Sequence, residues 1–249
     1  MSRFLSIFAI AATAGGVALW LGLRERYANP ADVVKEAPAN RSSYPEACAG
    51  IESLRRELGI QLAQSPSEAD REPVLERARQ LLHRSVASEL APHWMGTRWD
   101  FNGTSETPGE GQIACGYFVS TLLRDSGLRV ERVRLAQQAS GNIIRSLTIA
   151  ENTTRLVGQS FEDFLDRLSE AGDGLFVIGL DNHVGFISQD SSGARFIHSD
   201  GGRNQCVVSE PVETSPTLRR SRWREFANLC SDDALLQKWL LGGRFPTRS

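Results

Sequence analysis

Apolar positions recur at helical spacing through the first third of the chain and give way to strand-like alternation towards its end, with a glycine-rich loop between. Tyr44 to Ala63 carries Ile51, Leu54, Leu58 and Leu62 on one stripe, which predicts an amphipathic helix. Ser65-Pro66-Ser67 breaks it. Ser67 with Asp70 then forms a capping-box pattern ahead of Val74, Ala78, Leu81, Leu82, Val86 and Leu90, a second helix. Gly103 to Gly111 is polar and contains Pro108, as a loop requires. Cys115 to Ser126 places Phe118, Val119, Leu122 and Leu123 on one face and Gly127 at the C-terminal cap, predicting a helix that opens on the cysteine.

Beyond it, Leu128 to Leu135 alternates like a strand, and Gln137 to Leu147 reads as a helix interrupted by Gly141. Ser160 caps a further helix through Leu168. Strand-like runs follow at 175–180, 183–188, 194–198 and 205–209, with Asp190 to Gly193 composed like a hairpin turn. Trp223 to Leu241 reads as one or two helices. A nucleophile helix followed by an antiparallel sheet predicts an α+β fold.

The N-terminus adds a separate expectation. Phe4 to Leu23 runs apolar apart from Ser6 and Thr13, between Arg3 and the pair Arg24 and Arg26, which is about the length of a bilayer-spanning helix. Apolar residues continue past Ala12-Thr13-Ala14, so the reading favours an uncleaved anchor over a cleaved signal peptide. The expected organisation is a transmembrane anchor at 1–23, a linker at 24–43, a helical hairpin at 44–91 and a catalytic domain at 92–249. Arg24 and Arg26 oppose an outward C-terminus. The three-residue leading tail and the chemistry below outweigh them, and the expected location is periplasmic or cell-surface.

Composition narrows the function classes. A net charge of −2 over 249 residues points away from nucleic acid as a partner. The cysteines are Cys48, Cys115, Cys206 and Cys230. If Cys115 is a free nucleophile, one pair among the other three has room to form a disulfide in an oxidising compartment, and spacing does not select the pair. There is no CxxC or HxxxH pattern, so a structural zinc site is not expected, and the thiol chemistry below needs neither a metal nor an organic cofactor.

The candidate chemistry is carried by Cys115, His183 and His198. A thiolate attacks a carbonyl, and a helix N-terminus favours the charged sulfur. An imidazole takes the thiol proton and returns it to the leaving amine, and needs an orienting partner on its other nitrogen. The Asp190 to Gly193 turn would bring His183 and His198 side by side, and Asp200 is the alternative orienter. Taken singly, Cys115 reads as a small buried hydrophobe and His183 as a satisfied strand-end histidine. Their order is what raises the catalytic reading. Gln112 and Trp99 are candidates for the oxyanion or substrate site. His83 and His93 read as structural. Arg219, Arg220, Arg222 and Arg224 form a basic run that reads as a solvated face, or else as a contact for anionic wall polymer or lipid heads.

From about Trp99 to Gly201 the chain resembles the NlpC-type cell-wall cysteine peptidases, a branch of the papain-like fold. The matching pieces are Phe101-Asn102-Gly103-Thr104-Ser105, Cys115-Gly116-Tyr117-Phe118, Gly172-Asp173-Gly174-Leu175-Phe176-Val177, His183-Val184-Gly185-Phe186-Ile187 and Phe196-Ile197-His198. The resemblance implies Cys115 as nucleophile, His183 as base and His198 as orienter. It also implies a peptide or amide substrate in peptidoglycan stem peptides. Ala114 stands where the family usually has Asp, and Trp99 where it usually has a tyrosine hydroxyl. Two rival readings are a thiol amidase of the same fold acting on a protein or small amide, and a non-catalytic, membrane-tethered binding module.

Overall fold

A computed structural model of the chain describes residues 34–35 and 42–248. Helix α1 (Tyr44–Gln64) opens on a capping box between Ser43 and Glu46, and α2 (Glu68–Arg84) on the expected box between Ser67 and Asp70. Ala47, Ile51, Leu58 and Leu62 form the buried stripe of α1, while Leu54 faces out. A π-helical turn, Ser85–Leu90, leads into the short α3 (Ala91–Trp94). The predicted nucleophile helix is α4 (Cys115–Asp125), closed by Gly127 at φ +92°.

The expected strand at 128–135 is reduced to β1 (Arg129–Val130), after which the chain turns into α5 (Arg132–Ala136). The cause is Arg132. Its buried guanidinium donates to Thr121 Oγ1 at 2.7 Å and to the Thr104 and Ser105 carbonyls at 2.9 and 2.7 Å. A continuing strand would carry that group away from all three. Helix α6 spans Ser140–Leu147, so the glycine of the expected 137–147 helix is its second residue rather than an interruption.

Strand β2 (Thr154–Val157) has no counterpart in the sequence reading. Helix α7 (Phe161–Glu170) starts from the Ser160 cap. Strands β3 (Gly174–Leu180), β4 (Val184–Asp190), β5 (Gly193–Asp200) and β6 (Cys206–Pro211) follow the four predicted runs. After α8 (Pro216–Arg220), Trp223–Asn228 is a strand, β7, and not the expected helix. Helix α9 (Asp233–Leu240) and β8 (Arg244–Phe245) complete the chain.

Six strands make one antiparallel sheet in the order β2-β7-β3-β4-β5-β6. Period-two alternation divides its side chains between two cores. Leu175, Val177, Phe186, Ile197 and Ala227 face α1, α2, α4, α6 and α9. Phe176, Ile178, Ile187, Phe196 and Phe226 face α7 and Leu218 of α8. The hairpin of α1 and α2 belongs to the first core, together with Trp239 and Leu240 of α9.

Strand β7 lies second in the sheet because its charges are satisfied by tertiary partners. Glu225 is 1% exposed and meets Arg145 at 3.5 Å and Arg155 at 3.0 Å. Arg224 is buried and donates to the carbonyls of Leu218, Gln159 and Arg219. Arg224 therefore leaves the basic run read from the sequence, and Arg219, Arg220 and Arg222 stay exposed.

The expected fold class is corrected in one respect. The arrangement is α+β, with a six-stranded antiparallel sheet and covering helices. No helix among the described residues is long and apolar enough to cross a membrane, so the membrane-anchored papain-like architecture is not what is found. The segment 1–23, on which the anchor was read, lies outside the described residues, as does most of the expected linker. Within that linker, Val34 pairs with Ser209 of β6 through two backbone hydrogen bonds of 2.8 and 3.0 Å. The four cysteines are all free, without the disulfide the sequence allowed.

Candidate active site

Cys115 is the first residue of α4, after an Ala114 that offers no side-chain cap. The N–H groups of the first turn are therefore free of a capping oxygen, and those of Cys115 and Gly116 reach the sulfur. A third backbone N–H, from Val184, reaches it from the sheet.

The approach to Cys115 is pinned from several sides. Ile113 N donates to Arg98 O and Ala114 N to Gly103 O, each at 2.9 Å. Ser199 Oγ, buried in β5, donates to the Ile113 carbonyl at 2.6 Å. Gly103 lies so close to the Gln112–Ile113 backbone that a Cβ would fall 2.6 Å from it. Arg132 ties the same loop to α4.

His183 precedes β4 by one residue and is the chain neighbour of Val184, whose backbone acts on the Cys115 sulfur. Its Nε2 lies 2.8 Å from His198 Nδ1. The sequence-predicted histidine pair is therefore a hydrogen-bonded pair. Phe196, two residues before His198 on the same strand face, stacks on the His198 ring at 3.9 Å. Gly185 makes room for it, since a Cβ there would lie 2.9 Å from His198 Cβ and 2.6 Å from the Phe196 ring. No hydrogen bond joins the Cys115 sulfur to either imidazole. The contact is one residue away, through the backbone of Val184.

The electrostatics overturn one expectation. Burial pushes the Cys115 thiol above its ordinary value, and the three N–H groups offset this only in part. Burial, then repulsion from His198, pulls His183 down to about 3, against an opposing pull from Asp200. The resting pair is thus a neutral thiol and a neutral imidazole. The helix start does not by itself produce a thiolate, because removing a sulfur anion from water outweighs a few backbone dipoles.

The buried neutral imidazole carries a stability consequence. The unfolded chain protonates His183 near its ordinary value of about 6.5, whereas the folded chain holds it neutral down to about 3. Between those limits the unfolded state binds more protons. Stability is complete above about pH 6.5 and is lost as pH falls through the window. His83 is also lowered by burial and adds in the same direction. Denaturant unfolding of the His183→Gln variant is expected to show a shallower loss on acidification, by up to about 1.4 kcal/mol per pH unit. Equal slopes in wild type and variant would contradict the assignment.

The other sequence candidates are placed differently. Asp200 makes no hydrogen bond to either imidazole. Its carboxylate accepts Gly202 N at 2.8 Å, Asn204 N at 2.9 Å and Asn204 Nδ2 at 2.8 Å, closing the turn after β5. Burial opposes its charge, but the Asn204 and Gly202 bonds together with His198 hold the carboxyl below its usual range. Trp99 packs its indole on Gly201 of the same turn and has no hydroxyl to offer. Gln112 is exposed, and its side chain makes no hydrogen bond among the described residues. His83 bonds to Ser188 Oγ at 2.7 Å, and His93 meets the Tyr44 ring edge-on, both structural as expected.

Ser199, Arg132 and Glu210 are site-supporting residues that the sequence reading missed. Glu210 sits one step past the predicted 205–209 strand, 4% exposed, with its Oε1 3.4 Å from His198 Nε2. Its signal in the sequence was a carboxylate directly following the strand-like run Cys206-Val207-Val208-Ser209.

A cavity of about 610 Å³ lies away from Cys115. It lies between α1 and the β1–β8 pair, lined by Arg55, Arg56, Arg129 and Arg244 with Glu52 and Glu131. Of its five lining arginines, Arg55, Arg56, Arg124 and Arg129 already bond to carboxylates or carbonyls. Among the described residues no cluster of metal-ligating side chains is present. Comparison with known proteins gives no matching family model, no matching curated protein and no matching solved structure.

Proposed function

We propose that this chain is a thiol hydrolase of amide bonds, with Cys115 as nucleophile, His183 as proton shuttle and His198 as its orienter. The observation that carries the reading is the 2.8 Å His183–His198 bond, with the backbone of Val184, the residue after His183, favouring the charged form of the Cys115 sulfur. A thiol, a base and an orienter are the groups this chemistry needs, and the bonded imidazoles follow Cys115 in the chain as that order requires. Because both partners are neutral at rest, the thiol proton passes to His183 Nδ1 as the sulfur attacks, and no preformed ion pair takes part. The N–H groups that touch the sulfur stabilise the charge it develops on the way. His183 then protonates the leaving amine, and water, deprotonated by the same ring, resolves the acyl-enzyme.

The resemblance to NlpC-type cell-wall peptidases makes peptidoglycan stem peptides the substrate to test first. Purified peptidoglycan and short stem peptides are to be incubated with the protein and with Cys115→Ala, and new amino groups measured. Release by the wild type alone supports the reading. One observation favours a second reading, a non-catalytic binding module: no hydrogen bond couples the thiol to His183. Unreleased substrate that nevertheless binds equally to both proteins would establish that module instead.

A further inference from the structure

We propose that Glu210 fixes the tautomers of the histidine pair, leaving the His183 nitrogen away from His198 bare and ready to accept the thiol proton. The inference rests on the reading of His183 as base. In a neutral imidazole one nitrogen carries hydrogen and the other a lone pair, and hydrogen bonds select which.

His198 is fully buried, and its Nε2 has no hydrogen-bond partner. Beside it lies Glu210 Oε1 at 3.4 Å, off the line of a hydrogen bond but within direct electrostatic reach. Glu210 is itself held in place, because Ser215 Oγ donates to the same oxygen at 2.5 Å. The two residues are diagonal neighbours across the β5–β6 pair, where Val208 is the direct partner of His198 and Glu210 that of Phe196.

A lone pair on His198 Nε2 would lie close to the carboxylate oxygen and be repelled, whereas the positive end of an N–H there is attracted. With hydrogen on Nε2, His198 Nδ1 is the acceptor of the 2.8 Å bond, so His183 Nε2 donates. His183 Nδ1 is then left without hydrogen. Reversing the first choice reverses every later one and puts a proton on the nitrogen that has to accept one. Phe196 stacked on His198 and the tight approach of Gly185 prevent the ring from turning to escape the choice. Glu210 is thus a positioning residue, acting through His198.

The test uses the full chain with ¹⁵N-labelled histidine, whose ring shifts distinguish the tautomers of its four histidines. In the wild type at neutral pH both His183 and His198 are expected with hydrogen on Nε2. Glu210→Met, which keeps length and removes the acceptor, is expected to mix the tautomers of both rings. It should also lower kcat on an amide substrate roughly 100-fold, with KM little changed. Glu210→Gln, whose amide oxygen still accepts, should retain part of the loss. Hydrogen on Nδ1 of His198 in the wild type, or unchanged tautomers in Glu210→Met, would overturn the proposal. Should the Met variant fail to fold, the wild-type spectrum decides alone. Failure of the hydrolase reading looks different: the expected tautomers, with no amide released.

Discussion

Replacing His183 by alanine is expected to remove most amide hydrolysis while leaving the resting reactivity of the Cys115 thiol almost unchanged. A positioned general base contributes about 10²- to 10⁴-fold to a rate, so kcat should fall by a factor in that range. Alkylation probes something else, the fraction of thiolate in the free protein. That fraction is set by burial of the sulfur and by the N–H groups of Val184, Gly116 and Cys115, none of which the substitution removes. Its pH profile should rise above the ordinary thiol range in both proteins. Hydrolysis that survives His183→Ala would sink the assigned role. Rapid labelling well below pH 8 that slows in the variant would show instead a preformed ion pair, and the neutral resting state would be wrong.

Gly116→Ala is expected to destabilise the fold and to lower activity together. Alanine in an open helical position improves stability by up to about 1 kcal/mol over glycine. Gly50, in α1, is such a position, with nothing within 4 Å of an added Cβ. At Gly116 the added atom would collide with the backbone carbonyl of Ala136. A backbone carbonyl in α5 does not swing aside as a side-chain end would, so α4 and α5 must separate. Overpacking of this kind costs about 1–3 kcal/mol, enough to reverse the propensity gain. The displaced helix carries Cys115 away from Val184, and misplacement by about 1 Å can cost 10²-fold in rate. Thermal unfolding of the two variants checks the sign: Gly50→Ala unchanged or raised, Gly116→Ala lowered. A Gly116→Ala protein as stable and active as the wild type would show that the helix contact does not position the nucleophile.

Much of this architecture was legible in the residues because local rules and tertiary demands agree. The Ser67–Asp70 and Ser160–Asp163 boxes open helices where the pattern placed them. The hairpin of β4 and β5 turns within the predicted Asp190–Gly193 segment. Strand β7 was illegible for the opposite reason. Its Arg224 and Glu225 look like a solvated face, and only partners far away in sequence make them buried ones. The same holds for Arg132, whose three oxygen acceptors end the run read as a strand.

By itself the sequence determined the order of the elements, the thiol at a helix start and two histidines fifteen residues apart across a turn, because these depend on spacing and period alone. Tertiary structure decided the protonation state of the thiol and His183, because desolvation depends on what packs around a group and not on which residue it is. It also decided which carboxylate serves the histidines. Asp200, nearer in sequence, spends its oxygens on its own turn, while Glu210 reaches His198 only because β5 and β6 pair in this register.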